Sequence, residues 1–230
     1  MIRDRTQVLS FHETTQQLMA RPNGRIAGVL FFVASAQFIL GLVVAEALYP
    51  GYSVADNYIS DLGVGPSSMV FNSSAFLFGV LSIIGAWFLP RTVDFRGLTF
   101  LLILMAIGAM GVGIFTSAFT TIHGIVSLMA FGFGGLSAIA SFKVSKLPLS
   151  AISVLLGAMT LGALALYAGG LVTTGSLTSS EPPASEFFLG IGPGGMERMI
   201  AYPALIWLIL FSGHLIALSS APIQKEGKCG

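Results

Sequence analysis

Polar side chains interrupt long apolar stretches of this sequence, and four of them have the chemistry of an active site. His123 is a candidate general acid or base, because an imidazole titrates near physiological pH. Asp61 would orient that imidazole or join Glu197 around a metal ion. Arg198 carries a guanidinium that grips a phosphate or carboxylate through paired hydrogen bonds. Together these residues fit a site for the headgroup of a lipid or isoprenoid.

Other polar residues near the same apolar stretches are candidates for binding a ligand through hydrogen bonds. Each has an ordinary structural alternative as well: a carboxylate at a helix end is often solvated, and a lone histidine is often a hydrogen-bonded structural residue. For Arg198 the alternative is a structural ion pair with Asp61 or Glu46. Besides Arg198, the ligand-binding candidates are Glu46, Asn57, Tyr58, Ser60 and Asn72.

The composition indicates whether these residues lie in a protein surrounded by water or by a lipid membrane. Of 230 residues, 54% are hydrophobic and only 9% are charged, whereas a soluble domain has about 25% charged residues. A soluble globular protein is therefore excluded. The formal net charge of +1 leaves no basic surface for nucleic acid. The single cysteine, Cys229, excludes an intrachain disulfide, and we predict neither a bound metal nor a cofactor.

Six apolar runs are long enough to cross a bilayer, which takes about 20 residues per helix. We therefore predict an all-α, polytopic membrane protein: a six-transmembrane-helix bundle that occupies residues 25–219. Residues 1–24 are expected to form a cytoplasmic N-terminal segment, and residues 220–230 a cytoplasmic tail. The predicted spans are approximately 26–48, 67–89, 97–118, 122–142, 147–171 and 195–218.

The positions of the basic residues predict the orientation of the helices. Ten of the eleven Lys and Arg residues fall at one side of the predicted bundle, and such residues stay on the cytoplasmic side of a membrane. Both termini are then cytoplasmic and the protein is a multi-pass protein of the cell membrane. The connections 49–66, 119–121 and 172–194 lie outside, where Arg198 is the exception to the charge rule.

The first outer connection contains the signals of a short helix. Ser53 and Asp56 have the spacing of a capping box, Gly63 fits the left-handed residue that ends a helix, and Pro66 prevents continuation. We predict an interfacial helix over residues 54–62.

Small residues recur at a spacing of four in the fourth and fifth spans. Ala130 and Gly134 belong to one such stripe, and Ala158 and Gly162 to another. Small side chains let helix backbones approach closely in a membrane, so both stripes are predicted to be helix-packing faces.

Several segments of the chain are distinctive as a set. They are Asn57–Gly63, Asn72–Ser74 with Gly79, His123, and Gly194–Pro203. Through them the chain resembles the family catalogued as domain of unknown function 998, and its archaeal branch in particular. The family is described only as predicted integral membrane proteins, so the resemblance implies the membrane topology without implying an activity, metal or nucleophile.

Several classes of function remain open from the sequence. We predict an integral membrane protein with a polar pocket on the extracytoplasmic side, acting as an enzyme or binding protein on a lipid or isoprenoid headgroup. The alternatives are a structural or accessory subunit of a membrane complex and a small-molecule transporter. The expected partners are membrane lipids, an anionic lipid or small-molecule ligand, and a membrane protein or second copy, but not nucleic acid.

Overall fold

The computed structural model describes residues 2–89, 93, 95–173 and 185–220, with residues 2–21 and 185–186 described through their backbone alone. Helices are the regular secondary structure of this part of the chain, which contains no strand. The predicted tail after residue 220 lies outside the described residues, as do Arg91, Lys225 and Lys228. The segment boundaries proposed at residues 24 and 219 stay predictions.

Six long α-helices build the described part of the chain, and each contains a segment long and apolar enough to cross a membrane. In the first helix that segment is Pro22–Leu48. The predicted all-α six-helix bundle is confirmed, and the chain is a multi-pass integral membrane protein. The helices are α1 (Ile2–Leu48), α2 (Ser68–Phe88), α3 (Arg96–Ile114), α4 (Thr120–Ala140), α5 (Leu149–Thr173) and α6 (Gly192–Ser220).

The helices are arranged as a closed ring. Each helix packs against the next one along the chain, and α1 completes the ring by packing against α6. Aromatic residues fill part of the core, where Trp207 stacks on Phe211 with ring centroids 5.5 Å apart. The indole N–H of Trp207 donates to the hydroxyl of Ser141 over 3.0 Å, so this buried donor is satisfied.

Glycines allow several of these helices to touch through their backbones. A Cβ added at Gly108 of α3 would lie 2.4 Å from the backbone nitrogen of Ala130 in α4, which is closer than real Cβ contacts. The predicted packing face of the fourth span is thus correct at Ala130, whereas at Gly134 a Cβ would make only ordinary contacts at 3.6 Å. The predicted face of the fifth span is wrong, because Ala158 and Gly162 are exposed and a Cβ at Gly162 would meet nothing within 4 Å.

The connection between α1 and α2 is folded differently from the predicted helix over residues 54–62. A turn covers Val54–Asp56, and a 3-10 helix follows at Ile59–Gly63. The hydroxyl of Ser53 accepts the N–H of Asp56 over 3.2 Å, as expected of a cap. However, the side-chain oxygen of Asn57 accepts the N–H of Ser53 over 2.9 Å, and this local contact closes a turn that competes with the helix.

Gly63 also has a different role from the predicted helix terminus. It belongs to the 3-10 helix, and its φ angle is not positive. A Cβ at Gly63 would lie 2.8 Å from the side-chain oxygen of Asn72 in α2. Glycine is thus required here for close approach to α2.

The glycine contacts predict opposite effects for two alanine substitutions. Gly108→Ala is expected to destabilise the protein by about 1–3 kcal/mol, because it overpacks the contact with α4. Gly162→Ala is expected to stabilise it by about 0.5–1 kcal/mol, because alanine favours a helix and the site is open. Thermal unfolding of both purified variants in detergent measures the difference. Equal shifts in melting temperature would contradict the packing described here.

Candidate functional site

A cavity lies within the ring of helices and extends from one end of the bundle into its middle. We call this end, where α1, α3 and α5 finish and α2, α4 and α6 begin, the polar end. The cavity holds about 730 Å³ of space not filled by protein atoms, its opening included, of which about 70 Å³ is accessible to the centres of water molecules. One water needs about 10–15 Å³ by that measure, so the cavity is narrow but has room for several.

Most of the cavity wall is apolar. Phenylalanines, alanines, leucines and Met105 line it, contributed by α1, α2, α3, α4 and α6. Along α6 the wall runs from Glu197 to Leu208, a distance of about 16 Å at a rise of 1.5 Å per residue. The cavity therefore reaches about as deep as one leaflet of the hydrocarbon core, which is about 15 Å.

Among the described residues that line the cavity, the polar ones lie near the polar end. They are His123 and Ser127 on α4, Glu197 on α6, and Ser60 on the 3-10 helix. The cavity thus combines an apolar stem with a small polar head. This shape matches an amphiphile better than it matches a fully polar solute.

Glu197 lies between the cavity and the segment that joins α1 to α2, residues 49–67, which we call the first connection. One carboxylate oxygen, Oε2, accepts the backbone N–H of Ile59 at 2.5 Å and that of Ser60 at 3.4 Å. These are the first amides of the 3-10 helix, which would otherwise lack acceptors. The other oxygen, Oε1, has no hydrogen-bond partner among the described residues, and the side chain is not sealed from the cavity. This oxygen is available to a ligand.

His123 is held in one orientation by a backbone carbonyl. Its Nδ1 lies 2.7 Å from the carbonyl oxygen of Phe115. A carbonyl oxygen can only accept, so Nδ1 carries a hydrogen in this contact. In the neutral ring Nε2 is then an acceptor, and it has no partner among the described residues. An oriented imidazole with one free nitrogen can bind a donor or transfer a proton.

Arg198 lies beside the cavity but does not line it. Its Nη2 donates to a carboxylate oxygen of Glu46 at 2.5 Å and to the hydroxyl of Tyr52 at 2.9 Å. Its Nη1 donates to the carbonyl oxygens of Val54 at 3.0 Å and Gly194 at 2.9 Å. Arg198 is 7% exposed. Arg198 therefore forms an ion pair with Glu46, one of the two carboxylates considered as its structural partner, Asp61 being the other. Both terminal nitrogens of Arg198 donate to protein acceptors.

The first connection also rests directly on the start of α6. The N–H of Gly194 donates to the carbonyl oxygen of Ala55 over 2.9 Å. A Cβ at Gly194 would lie 2.1 Å from the carbonyl oxygen of Asn57, and Gly192 has a φ angle of +75°. Glycines are needed at both positions, the first for close approach and the second for its left-handed conformation.

The remaining candidates support the first connection. The Asp61 carboxylate accepts the N–H of Tyr58 over 2.9 Å, and the Asn57 side-chain oxygen accepts the N–H of Ser53. The Asn72 amide donates to the carbonyl oxygen of Gly63 over 3.0 Å. None of these candidates lines the cavity. The structure thus brings His123, Glu197 and Ser60 together and places the other candidates around them.

Two tyrosines of this connection are partly buried, which affects their ionisation. Burial raises the pKa of Tyr58, whose ring meets the edge of Tyr167 with centroids 6.2 Å apart. Burial also raises the pKa of Tyr52, although the hydrogen bond from Arg198 opposes this change. Both phenols are neutral at physiological pH. The hydroxyl of Tyr52 can therefore donate to the carbonyl oxygen of Tyr58, 3.0 Å away.

Sequence reasoning missed Ser127 and the apolar wall. Ser127 follows His123 by four residues, so the helical repeat places both on one face, and Ala130, Phe131 and Gly134 continue it. The spacing of these residues in the sequence predicts that they share one face of α4, but it does not predict that this face is turned toward a cavity. Within the part of the chain described, no three His, Cys, Asp or Glu side chains lie close enough together to hold a metal ion.

Comparison with known proteins gives one match. A family model described as "Protein of unknown function (DUF998)" matches residues 32–214, which include all the cavity-lining residues. No curated protein and no solved structure matches the chain.

A double-mutant cycle measures the coupling between Arg198 and Glu46. Arg198→Gln and Glu46→Gln are each expected to destabilise the protein, because each leaves the partner's charge unpaired in a mostly buried place. The double variant is expected to be more stable than the sum of the two effects predicts, with a coupling of about 1–3 kcal/mol. Thermal or denaturant unfolding in detergent gives the three values. Additive effects would show that the pair contributes nothing.

Proposed function

Because the chain belongs to the DUF998 family of proteins of unknown function, we propose its function from the site itself: it binds a single-chain amphiphile inside the membrane. The apolar stem of the cavity receives the chain, and the polar group of the ligand lies beside His123, Glu197 and Ser60. The observation that carries the proposal is the cavity's division into an apolar stem and a polar head. Its narrowness favours one chain over two.

A substitution at Gly134 tests this proposal. Gly134 lines the cavity, and a Cβ there would make ordinary contacts at 3.6 Å. Gly134→Leu is therefore expected to fold and to place its side chain in the stem, which lowers the amount of bound amphiphile at least tenfold, equivalent to about 1.4 kcal/mol. The measurement is native mass spectrometry with lipid analysis of gently purified protein.

Gly132→Leu is the matched control, since Gly132 lies on the same helix and a Cβ there would meet nothing within 4 Å. This variant is expected to retain the amphiphile of the wild type. Equal amounts of bound amphiphile in both variants, or none in the wild type, would count against the cavity as a binding site.

A second candidate function is acid–base catalysis on the bound amphiphile. It is supported by the hydrogen bond from His123 Nδ1 to the carbonyl of Phe115, which leaves Nε2 available. The same lipid analysis tests it with His123→Ala. If the wild type and this variant carry identical lipids in identical amounts, His123 does no chemistry on them. Accumulation of a precursor in the variant alone supports catalysis.

We also propose that the polar end faces away from the cytoplasm. The described Lys and Arg side chains other than Arg198 lie at the opposite end, where they would be retained on the cytoplasmic side. These side chains are those of Arg25, Arg96, Lys143 and Lys146.

Cysteine labelling of intact cells tests the orientation. In a Cys229→Ser background, Asp56→Cys at the polar end is expected to react with a membrane-impermeant maleimide. Lys146→Cys at the other end is expected to react only after permeabilisation. Both positions are exposed, so access to each depends on its side of the membrane. The reverse pattern would invert the proposed topology.

A further inference from the structure

The charges around the cavity restrict the kind of headgroup that it can take. We infer that the site selects an amphiphile whose headgroup donates hydrogen bonds, a primary ammonium above all, over one with a phosphate or carboxylate. This inference rests on the proposed binding function and specifies its ligand. It differs from the anionic ligand that the sequence suggested, and the reason is the position of Arg198.

Within the described part of the chain, no Lys or Arg side chain lines the cavity. The titratable residues of that part that line it are Glu197 and His123. Arg198, which is next in the chain, faces Glu46, Tyr52 and two carbonyl oxygens instead. A phosphate at the polar head would therefore meet the Glu197 carboxylate without a guanidinium to offset the repulsion.

The acceptors at the polar head are the complement of an ammonium group. Glu197 Oε1 and His123 Nε2 have no hydrogen-bond partners among the described residues, and Ser60 lines the same cavity. An ammonium has three donors and no acceptor. It would supply the carboxylate with the partner that a buried charge requires. The two backbone amides on Oε2 keep the carboxylate oriented while Oε1 binds the ligand.

The experiment compares three probes with the same chain: dodecylamine, dodecanol and dodecyl phosphate. Binding of each probe to the full-length protein is measured in phosphatidylcholine nanodiscs. The signals from empty nanodiscs and from nanodiscs with the Gly134→Leu variant are subtracted, because they report partition of the probe into lipid. The wild type is expected to bind dodecylamine at least tenfold more tightly than dodecyl phosphate, with dodecanol between them. The order of the three affinities is read from the wild type, and Gly134→Leu serves to subtract binding outside the cavity.

Glu197→Gln then tests whether the charge of Glu197 causes the preference for dodecylamine over dodecyl phosphate. The amide keeps the size and an acceptor oxygen for Ile59 but removes the charge, so dodecylamine affinity is expected to fall about tenfold. Asp56→Asn is the matched control, because it makes the same chemical change on an exposed residue of the polar end that does not line the cavity. It is expected to leave the affinities unchanged.

The outcomes separate the two proposals. If dodecyl phosphate binds as tightly as dodecylamine and Gly134→Leu abolishes both, the cavity binds amphiphiles but the inference about charge is overturned. It is also overturned if Glu197→Gln, with wild-type thermal stability, keeps the full preference for the amine. If no probe binds in a saturable way that Gly134→Leu prevents, the proposed function fails and this inference fails with it.

Discussion

The buried guanidinium of Arg198 holds three parts of the chain together at the polar end. It is bound by a carboxylate at the end of α1, by a hydroxyl and a carbonyl of the first connection, and by a carbonyl in its own helix. A charge in this place is costly unless every partner is present. The position of the first connection is therefore tied to that of α6.

The cavity depends on this arrangement. Once the first connection lies on the glycine turn that begins α6, its 3-10 helix points two backbone amides at Glu197. Glu197, which lines the cavity, is thereby fixed with one oxygen satisfied and the other without a hydrogen-bond partner among the described residues. The adjacent residues Glu197 and Arg198 thus have different roles, since consecutive residues of a helix point about 100° apart. One belongs to the cavity and the other to the support around it.

The division between apolar stem and polar head also follows from the ring of helices. Helices with glycine contacts pack backbone to backbone at some crossings, as at Gly108, whereas the cavity lies where small and aromatic side chains leave space between the helices. One side of α5 shows the opposite case, because its small residues Ala158 and Gly162 are exposed and a Cβ at Gly162 would meet nothing within 4 Å. Spacing alone could not distinguish these faces, since both stripes have the same period.

The sequence by itself determined the bundle, because runs of about 20 apolar residues have only one stable backbone arrangement in a bilayer, in which each helix satisfies its own hydrogen bonds. It also indicated that the charged residues of the polar end need partners, since charged groups in apolar surroundings are costly without them. Only the tertiary structure decided which partner each one has. Arg198 pairs with Glu46, 152 positions away, and the carboxylate of Glu197 accepts amides 138 and 137 positions away. Such contacts depend on the rotation of each helix about its axis, which packing sets and local sequence does not. For that reason the sequence suggested Arg198 as a ligand for an anion, whereas the fold makes it a support and leaves Glu197 and His123 at the cavity.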